Sequence, residues 1–398
     1  MRKKPEKAYV GLLNFAPEVV NSEKIRLPLM INDVTLREGQ NSADVAFSTE
    51  VQEEFCSIMA NMGVHQVQFR ASTDSSIIKT IRKKFPNIKV DALVLAKSKN
   101  WKEQIKMAKD AGAQSLHITA RGSEGMLRYN LKQTYEEMRD HLAECISFAR
   151  DMKAEEVCFS ASDCTRTDIH ELIKTVNVAV RAGANVIALP DTVGVIRPQA
   201  YRWMISQVRN AISDEVLIAV HCHNDFGLAL ANSFAGLEAG AQIFDVSVNG
   251  LGERAGNTAI DEFLVGLWAL YGIEIGIPLG ELTRLSEWVA KVTGMSIPVT
   301  KPVSGRNAFA QKTDTHYEAV MDAPFLFEPY DPEIIGKKIT LYYGVGSGLI
   351  VLKEKLQELC LDVPPSKLPE LKQKLDRAVQ EKKHSLSDDD IRTLVQNM

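Results

Sequence analysis

The chain has 398 residues, more than a single hydrophobic core usually serves, so one domain of about 250 residues with smaller appendages is expected. A formal net charge of −4, an isoelectric point near 6.1 and no long basic run argue against nucleic acid or an anionic membrane as partner. These numbers leave a small-molecule enzyme as the expected class. Cys56, Cys145, Cys158, Cys164, Cys222 and Cys360 form no Cys-x-x-Cys pair, which points to reduced thiols in a cytoplasm rather than a disulfide frame or thiolate zinc site. The basic N-terminus runs into Pro5 and Glu6, and no apolar segment reaches about 18 residues, so neither a signal peptide nor a membrane span is expected.

Residues 1–28 read as an N-terminal extension laid on the surface. The first strand signal is Leu29–Leu36. An amphipathic helix over Ser48–Met62 follows, with Ser48 or Thr49 as N-cap and Gly63 as terminator. From there strand and helix alternate: strands at Val64–Phe69, Ile88–Leu95, Ser115–Thr119, Glu156–Ser160, Asn185–Leu189, Val216–His221 and Gln242–Val248. Helices fall at Ile77–Phe85, Trp101–Ala111, Tyr135–Met152, Asp168–Ala182, Pro198–Ile212 and Gly227–Ala239. Eight strands alternating with helices predict an α/β chain folded as a TIM (β/α)8 barrel over 29–275, in preference to an open doubly wound sheet. Beyond it, Pro278, Pro298, Pro302, Pro324, Pro329 and Pro332 break the rhythm. The expectation there is a linker subdomain over 276–345, with a helix at Leu282–Thr293, and a C-terminal helical subdomain over 346–398. Gly344–Gly348 lacks the Gly-Lys-Ser/Thr ending of a phosphate loop and reads as a helix lead-in.

The seventh strand ends in His221-Cys-His223. Side chains two apart on a strand share a face, so both imidazoles can bind one metal ion; the alternative is a pair of buried, hydrogen-bonded histidines. The first strand runs into Asp33-Val-Thr-Leu-Arg-Glu-Gly39, which places Arg37 and Glu38 either as a surface ion pair or on the same rim as the histidines. One carboxylate and two imidazoles make three ligands of a catalytic divalent ion. The eighth strand leads into Asn249-Gly-Leu-Gly-Glu-Arg-Ala-Gly-Asn257, either a plain strand-to-helix turn or a loop that brings backbone close to a ligand. Both readings let Asn257 offer its oxygen to a metal. Asp191-Thr-Val-Gly194 is a further rim turn, in which Thr192 either donates a hydroxyl to an anionic substrate or only starts the approach to a helix.

In combination and order, Thr35–Gly39, Asp191–Gly194, His221–Ala229 and Asn249–Asn257 resemble the DRE-TIM metallolyase superfamily. Within it they are most similar to the Claisen-condensing branch of isopropylmalate, homocitrate and citramalate synthases. The likeness spans residues 30 to 275 and, more weakly, Ala308-Phe-Ala310 and Asp331–Gly336. It implies that Glu38, His221, His223 and Asn257 hold a divalent metal (Mg, Mn or Zn), that Arg37 polarises the ketone of a 2-oxo acid, and that Thr192 binds its carboxylate. It also implies acetyl-CoA or another acyl-CoA as co-substrate, and a homodimer in which His316 of the appended segment joins a barrel's site as base or acid. A solvated loop histidine is the other reading of His316.

Several positions depart from that pattern. Ser162, in Phe159-Ser-Ala-Ser-Asp163, stands where the synthases carry a proton-transferring glutamate, and Phe327 where they carry a tyrosine. Gln68 and Arg70 replace a glutamate and a glycine, Asn41 a common glutamine, and Arg121–Gly125 lacks the usual histidine. The expectation is an intact metal cradle with altered proton transfer and an altered substrate pocket, in which Ser160, Ser162 and Arg70 or Arg121 meet an extra carboxylate or a phosphate-like group. Alternatives are a C–C lyase of the hydroxymethylglutaryl-CoA type, disfavoured because no cysteine lies between Cys222 and Cys360, and a catalytically silent metal-binding homologue. The synthases' C-terminal regulatory domain is expected to be absent.

Overall fold

The computed structural model describes residues 2–397. Eight strands, β1 (Met30–Asp33), β2 (Gln66–Arg70), β3 (Lys89–Leu95), β4 (Ser115–Arg121), β5 (Glu156–Ser162), β6 (Val186–Asp191), β7 (Leu217–Cys222) and β8 (Ile243–Val246), close into one barrel in sequential order. Every neighbouring pair is parallel, and β8 closes on β1. The fold is the expected (β/α)8 barrel. Strands buried on both faces are mostly apolar, and β6 is buried at every position, with Asp191 at its carboxyl end its one charged residue.

Helices α1 (Thr49–Asn61), α2 (Ser75–Lys84), α3 (Trp101–Asp110), α4 (Tyr135–Asp151), α5 (Ile169–Ala182), α6 (Pro198–Asn210), α7 (Ala229–Glu238) and α8 (Ile260–Tyr271) form the outer ring. Their starts are fixed locally: Ser48 accepts from Val51 N, Thr134 and Glu137 form a reciprocal capping box, and Asp168 accepts from His170 N and Glu171 N. Inside the barrel, Cys158, Val186, Ala188, Ala219 and Ile243 pack with Met30 and Leu217 into an apolar plug. A pocket lies at the carboxyl-terminal mouth, lined by residues at the strand ends and in the loops that follow.

The first strand is shorter than the expected Leu29–Leu36. It ends at Asp33, and Thr35–Gly39 is a short helix. The cause is the Asp33 carboxylate, which accepts from Thr35 N and Thr35 Oγ1 at 2.9 Å each and turns the backbone out of the sheet. That turn sets Arg37 and Glu38 on the rim.

After the barrel, a helix at Leu282–Thr293 is followed by a two-stranded parallel patch pairing Ala310–Gln311 with Thr340–Leu341, and by a helix at Asp314–Asp322. Buried Lys301 fastens this segment to α8, its ammonium 2.6 Å from Asp261 and 2.9 Å from Glu262. Helices Leu349–Glu358, Leu368–Lys382 and Asp388–Gln396 share a second core with Leu341 and Tyr343. The N-terminal segment is pinned by an Ala8–Tyr330 bridge and by Lys24 N donating to Glu238 O at 2.8 Å. Among the described residues no helix is long and apolar enough to cross a membrane.

Candidate metal centre and substrate pocket

Three rim loops bring the donors together. His221 lies at the end of β7 with His223 just beyond it, and a backbone bridge pairs His223 with Asn257 of the glycine-rich loop after β8. The loop can fold so tightly because Gly256 sits at φ +86°, where an added Cβ would collide with the carbonyl of Gly250. A Cβ on Gly252 would likewise occupy the place of Asn257 Oδ1. His221 Nε2 lies 3.2 Å from His223 Nε2, 3.1 Å from Asn257 Nδ2 and 3.5 Å from Glu38 Oε1. Donor atoms of Glu38, His221 and His223 all lie within 4.8 Å of one another. Ligands about 2.1 Å from a common ion sit roughly 3 to 4 Å apart, so these spacings suit one divalent cation.

The surroundings fit the same occupant. His223 Nδ1 and Asn257 Oδ1 are buried without a hydrogen-bond partner among the described residues, and a half-turn of the Asn257 amide presents Oδ1 where Nδ2 now stands. Burial first, and His221 second, push His223 down to about 3, so it is a neutral donor at physiological pH. Burial would raise the Glu38 carboxyl, but Arg37, His221 and His223 outweigh it and bring Glu38 down to about 2. His221 Nδ1 is 3.0 Å from Asp245 Oδ2 on the adjacent strand, which turns Nε2 toward the shared point; Asn32 Nδ2 in turn donates to Asp245 Oδ1 at 2.8 Å. Asp245→Asn is expected to weaken Mn2+ affinity by about 10- to 100-fold, read by calorimetric titration, with the fold unchanged by circular dichroism.

Arg37, Glu38, Arg121, Ser160, Ser162, Thr192, His221 and His223 line a single pocket of about 270 Å³ at this mouth, and Asn257 joins it through His221. That volume, at the low end for ligand sites, suits a small acid beside an ion. Thr192 Oγ1 accepts from Asp163 N at 2.8 Å, so its own proton is free to donate into the pocket. Two residues singled out from the sequence lie elsewhere. Arg70 does not line the pocket; its guanidinium donates to Arg37 O at 3.0 Å and to Asn41 Oδ1, which braces the Arg37 loop. His316 lies on the appended segment, stacked on Phe327 with ring centroids 4.4 Å apart, and lines a different groove.

Apart from Gln68, noted above as a departure, the other residues of the site carry no local sequence signal. Arg37 Nε donates to Gln68 Oε1 at 2.6 Å, and Gln68 Nε2 donates to Asp91 Oδ2 at 2.6 Å. Asp91 also accepts from Ser115 Oγ at 2.6 Å and meets His117 Nδ1 at 3.1 Å. Burial would lower the His117 imidazole, but Cys158 and Asp91 raise it well above its ordinary range, so His117 and Asp91 form an internally neutral ion pair. Arg254 clamps the rim: it pairs with both carboxylate oxygens of Asp225 at 2.8 and 3.0 Å and donates to Thr192 O at 3.0 Å.

A carboxylate, two imidazoles and an amide at the carboxyl-terminal mouth of a closed parallel barrel define a TIM barrel with the donor set of a divalent-metal site. The HMGL-like family model matches residues 28–289. The 2-isopropylmalate synthase of Saccharolobus solfataricus is 36% identical over 351 residues, 88% of this chain and 89% of that protein. The homocitrate synthase AksA of Methanothermobacter thermautotrophicus is 36% identical over 340 residues, 85% of this chain and 86% of that one. Among solved structures, the HMG-CoA lyase of Bacillus subtilis aligns with a TM-score of 0.61 at 20% identity, covering 69% of this chain and 96% of that one, a likeness of fold. The chain belongs to the HMGL-like family and, within it, to the Claisen-condensing branch of the DRE-TIM metallolyases.

Proposed function

We propose that the protein condenses acetyl-CoA, or another acyl-CoA, with a 2-oxo acid in a divalent-metal-dependent Claisen reaction. The observation that carries this reading is the convergence of Glu38, His221, His223 and Asn257 on one point at the barrel mouth, with the Asn257 Oδ1 buried and unpartnered among the described residues. The names of the relatives, 2-isopropylmalate and homocitrate synthases, support the same chemistry. When bound, the ion supplies Lewis-acid polarisation of the substrate's ketone. Arg37, held by Gln68 and Glu38, places a fixed positive charge where the alkoxide develops. The Thr192 hydroxyl donates to the substrate carboxylate. The acyl methyl gives its proton to His316 of a second copy and attacks the ketone, the alkoxide takes up a proton, and water then hydrolyses the thioester and releases CoA.

Ser162 cannot take that proton as a carboxylate would, and His316 is outside this chain's own pocket. The reading therefore includes a homodimer in which the appended segment of one copy reaches the mouth of the other. Phe325, Leu326 and Phe327, each more than half exposed beside His316, are the apolar surface such a contact would cover. Sedimentation at micromolar concentration is expected to show a dimer.

Free thiol released from acetyl-CoA across a panel of 2-oxo acids tests the reaction. Turnover with at least one acceptor, abolished by chelation and restored by Mg2+, Mn2+ or Zn2+, is the expected result. Ser162 and Phe327 favour the second reading, a silent homologue, which a panel without turnover alongside one bound metal per chain would support.

A further inference from the structure

The charged groups lining the pocket are not equally partnered. Arg37 is paired with Glu38, His117 with Asp91, and Arg254 is shared by Asp225 and Glu253, while Asp245 lies against His221 Nδ1 and accepts from Asn32 Nδ2. Arg121 and Lys97 line the same pocket, and among the described residues neither has a carboxylate within ion-pairing distance; the only side-chain contact of the Arg121 guanidinium is with Met126 sulfur at 3.0 Å. Both lie on the same pocket wall, Lys97 exposed and Arg121 partly buried, and slight desolvation followed by the charge of Arg121 lowers the Lys97 ammonium.

The imbalance has a definite origin. Arg121 is the last residue of β4 and pairs in register with Ser162 of β5. A carboxylate at position 162 would neutralise the guanidinium across the ladder, and this chain has a hydroxyl there. The barrel topology also sets the direction. Arg121 ends β4 and Lys97 follows β3, whereas the candidate metal donors come from the ends of β1, β7 and β8. In a closed ring of eight strands, β4 faces β8, so the free cations stand on the wall opposite the donors.

Building on the condensation reading above, we propose that the acceptor is a 2-oxo acid with a second anionic group at the end remote from its ketone. Arg121 and Lys97 bind that group, and the hydroxyls of Ser160 and Ser162 flank it. The ketone end lies at Glu38, His221 and His223, and the far anion supplies the counter-charge that Arg121 lacks. Acids ending in an alkyl group leave the partly buried Arg121 without a counter-ion and are disfavoured, as sites built around a polar group reject analogues without it.

Calorimetry on the full chain with saturating Mg2+ compares 2-oxoglutarate and 2-oxoadipate with 2-oxobutyrate and 2-oxoisovalerate. The diacids are expected to bind at least about 10-fold tighter. Arg121→Gln should reduce that ratio by about 10- to 100-fold. Ser162→Glu should remove it as well by pairing with Arg121 internally, an effect no merely structural role of either residue predicts. Equal or tighter binding of the alkyl acids overturns the proposal. So does a loss in Arg121→Gln confined to acetyl-CoA affinity, which would assign the cations to the phosphates of the coenzyme. If no acceptor of either kind releases thiol, the condensation reading falls, while the calorimetric ratio still decides the charge class of the pocket.

Discussion

His223→Ala is expected to lower turnover by about 10^3-fold or more while leaving the melting temperature close to that of the parent protein. The side chain sits in a rim loop beyond the end of β7, contributes nothing to the apolar plug, and directs Nε2 at the shared position 3.2 Å from His221 Nε2. Held at about 3, it is neutral at physiological pH and so gives the site a lone pair rather than a charge. Removing one of two imidazoles leaves Glu38 tied to Arg37 and a donor set too poor to keep an ion. Losing Lewis-acid polarisation costs several kcal/mol of transition-state stabilisation, and about 4 kcal/mol corresponds to that thousandfold. Metal content and thiol release measured on one preparation check the result. A variant that keeps full turnover removes His223 from the account.

Asp91→Ala is expected to destabilise the protein by about 3–5 kcal/mol, the cost of breaking a buried pair from one side. Asp91 is fully buried and holds Gln68, Ser115 and His117 at once, so its loss strands a buried imidazolium and two polar side chains. Gln68 then no longer fixes Arg37, and catalysis falls beyond what unfolding explains. The sign with pH follows from the depressed carboxyl. Asp91 is held at about 2 against an ordinary 3.8, so its contribution is present above 3.8 and is lost as pH falls through about 2. Denaturant titrations of parent and Asp91→Asn should accordingly converge below pH 4. Parallel curves from pH 7 to pH 3 would exclude this role.

What could be read from the chain alone was whatever is written locally. The alternation of strand and helix, with Gly63 closing a helix at positive φ, gave the barrel. The two histidines were legible because two residues on one strand determine their common face. Asp245 was not, since its partner is 24 residues away on the next strand and nothing marks it among other aspartates. The pairing of Arg121 with Ser162 exists only through strand register, and the approach of Lys97 to Arg121 only through the closed ring. Apolar alternation ran the first strand on to Leu36, and a single carboxylate, Asp33, overrode it. Arg70 looked like a free cation at the rim because the Arg37 carbonyl and the Asn41 amide that engage it belong to another loop.

The most direct measurement is the number of Mn2+ ions bound per chain, counted by electron paramagnetic resonance on chelator-treated protein, for the parent and for His221→Ala. The account predicts one tightly bound ion in the parent, none at comparable affinity in the variant, and thiol release that follows occupancy. Equal binding in both proteins, or full turnover with no ion bound, would contradict it.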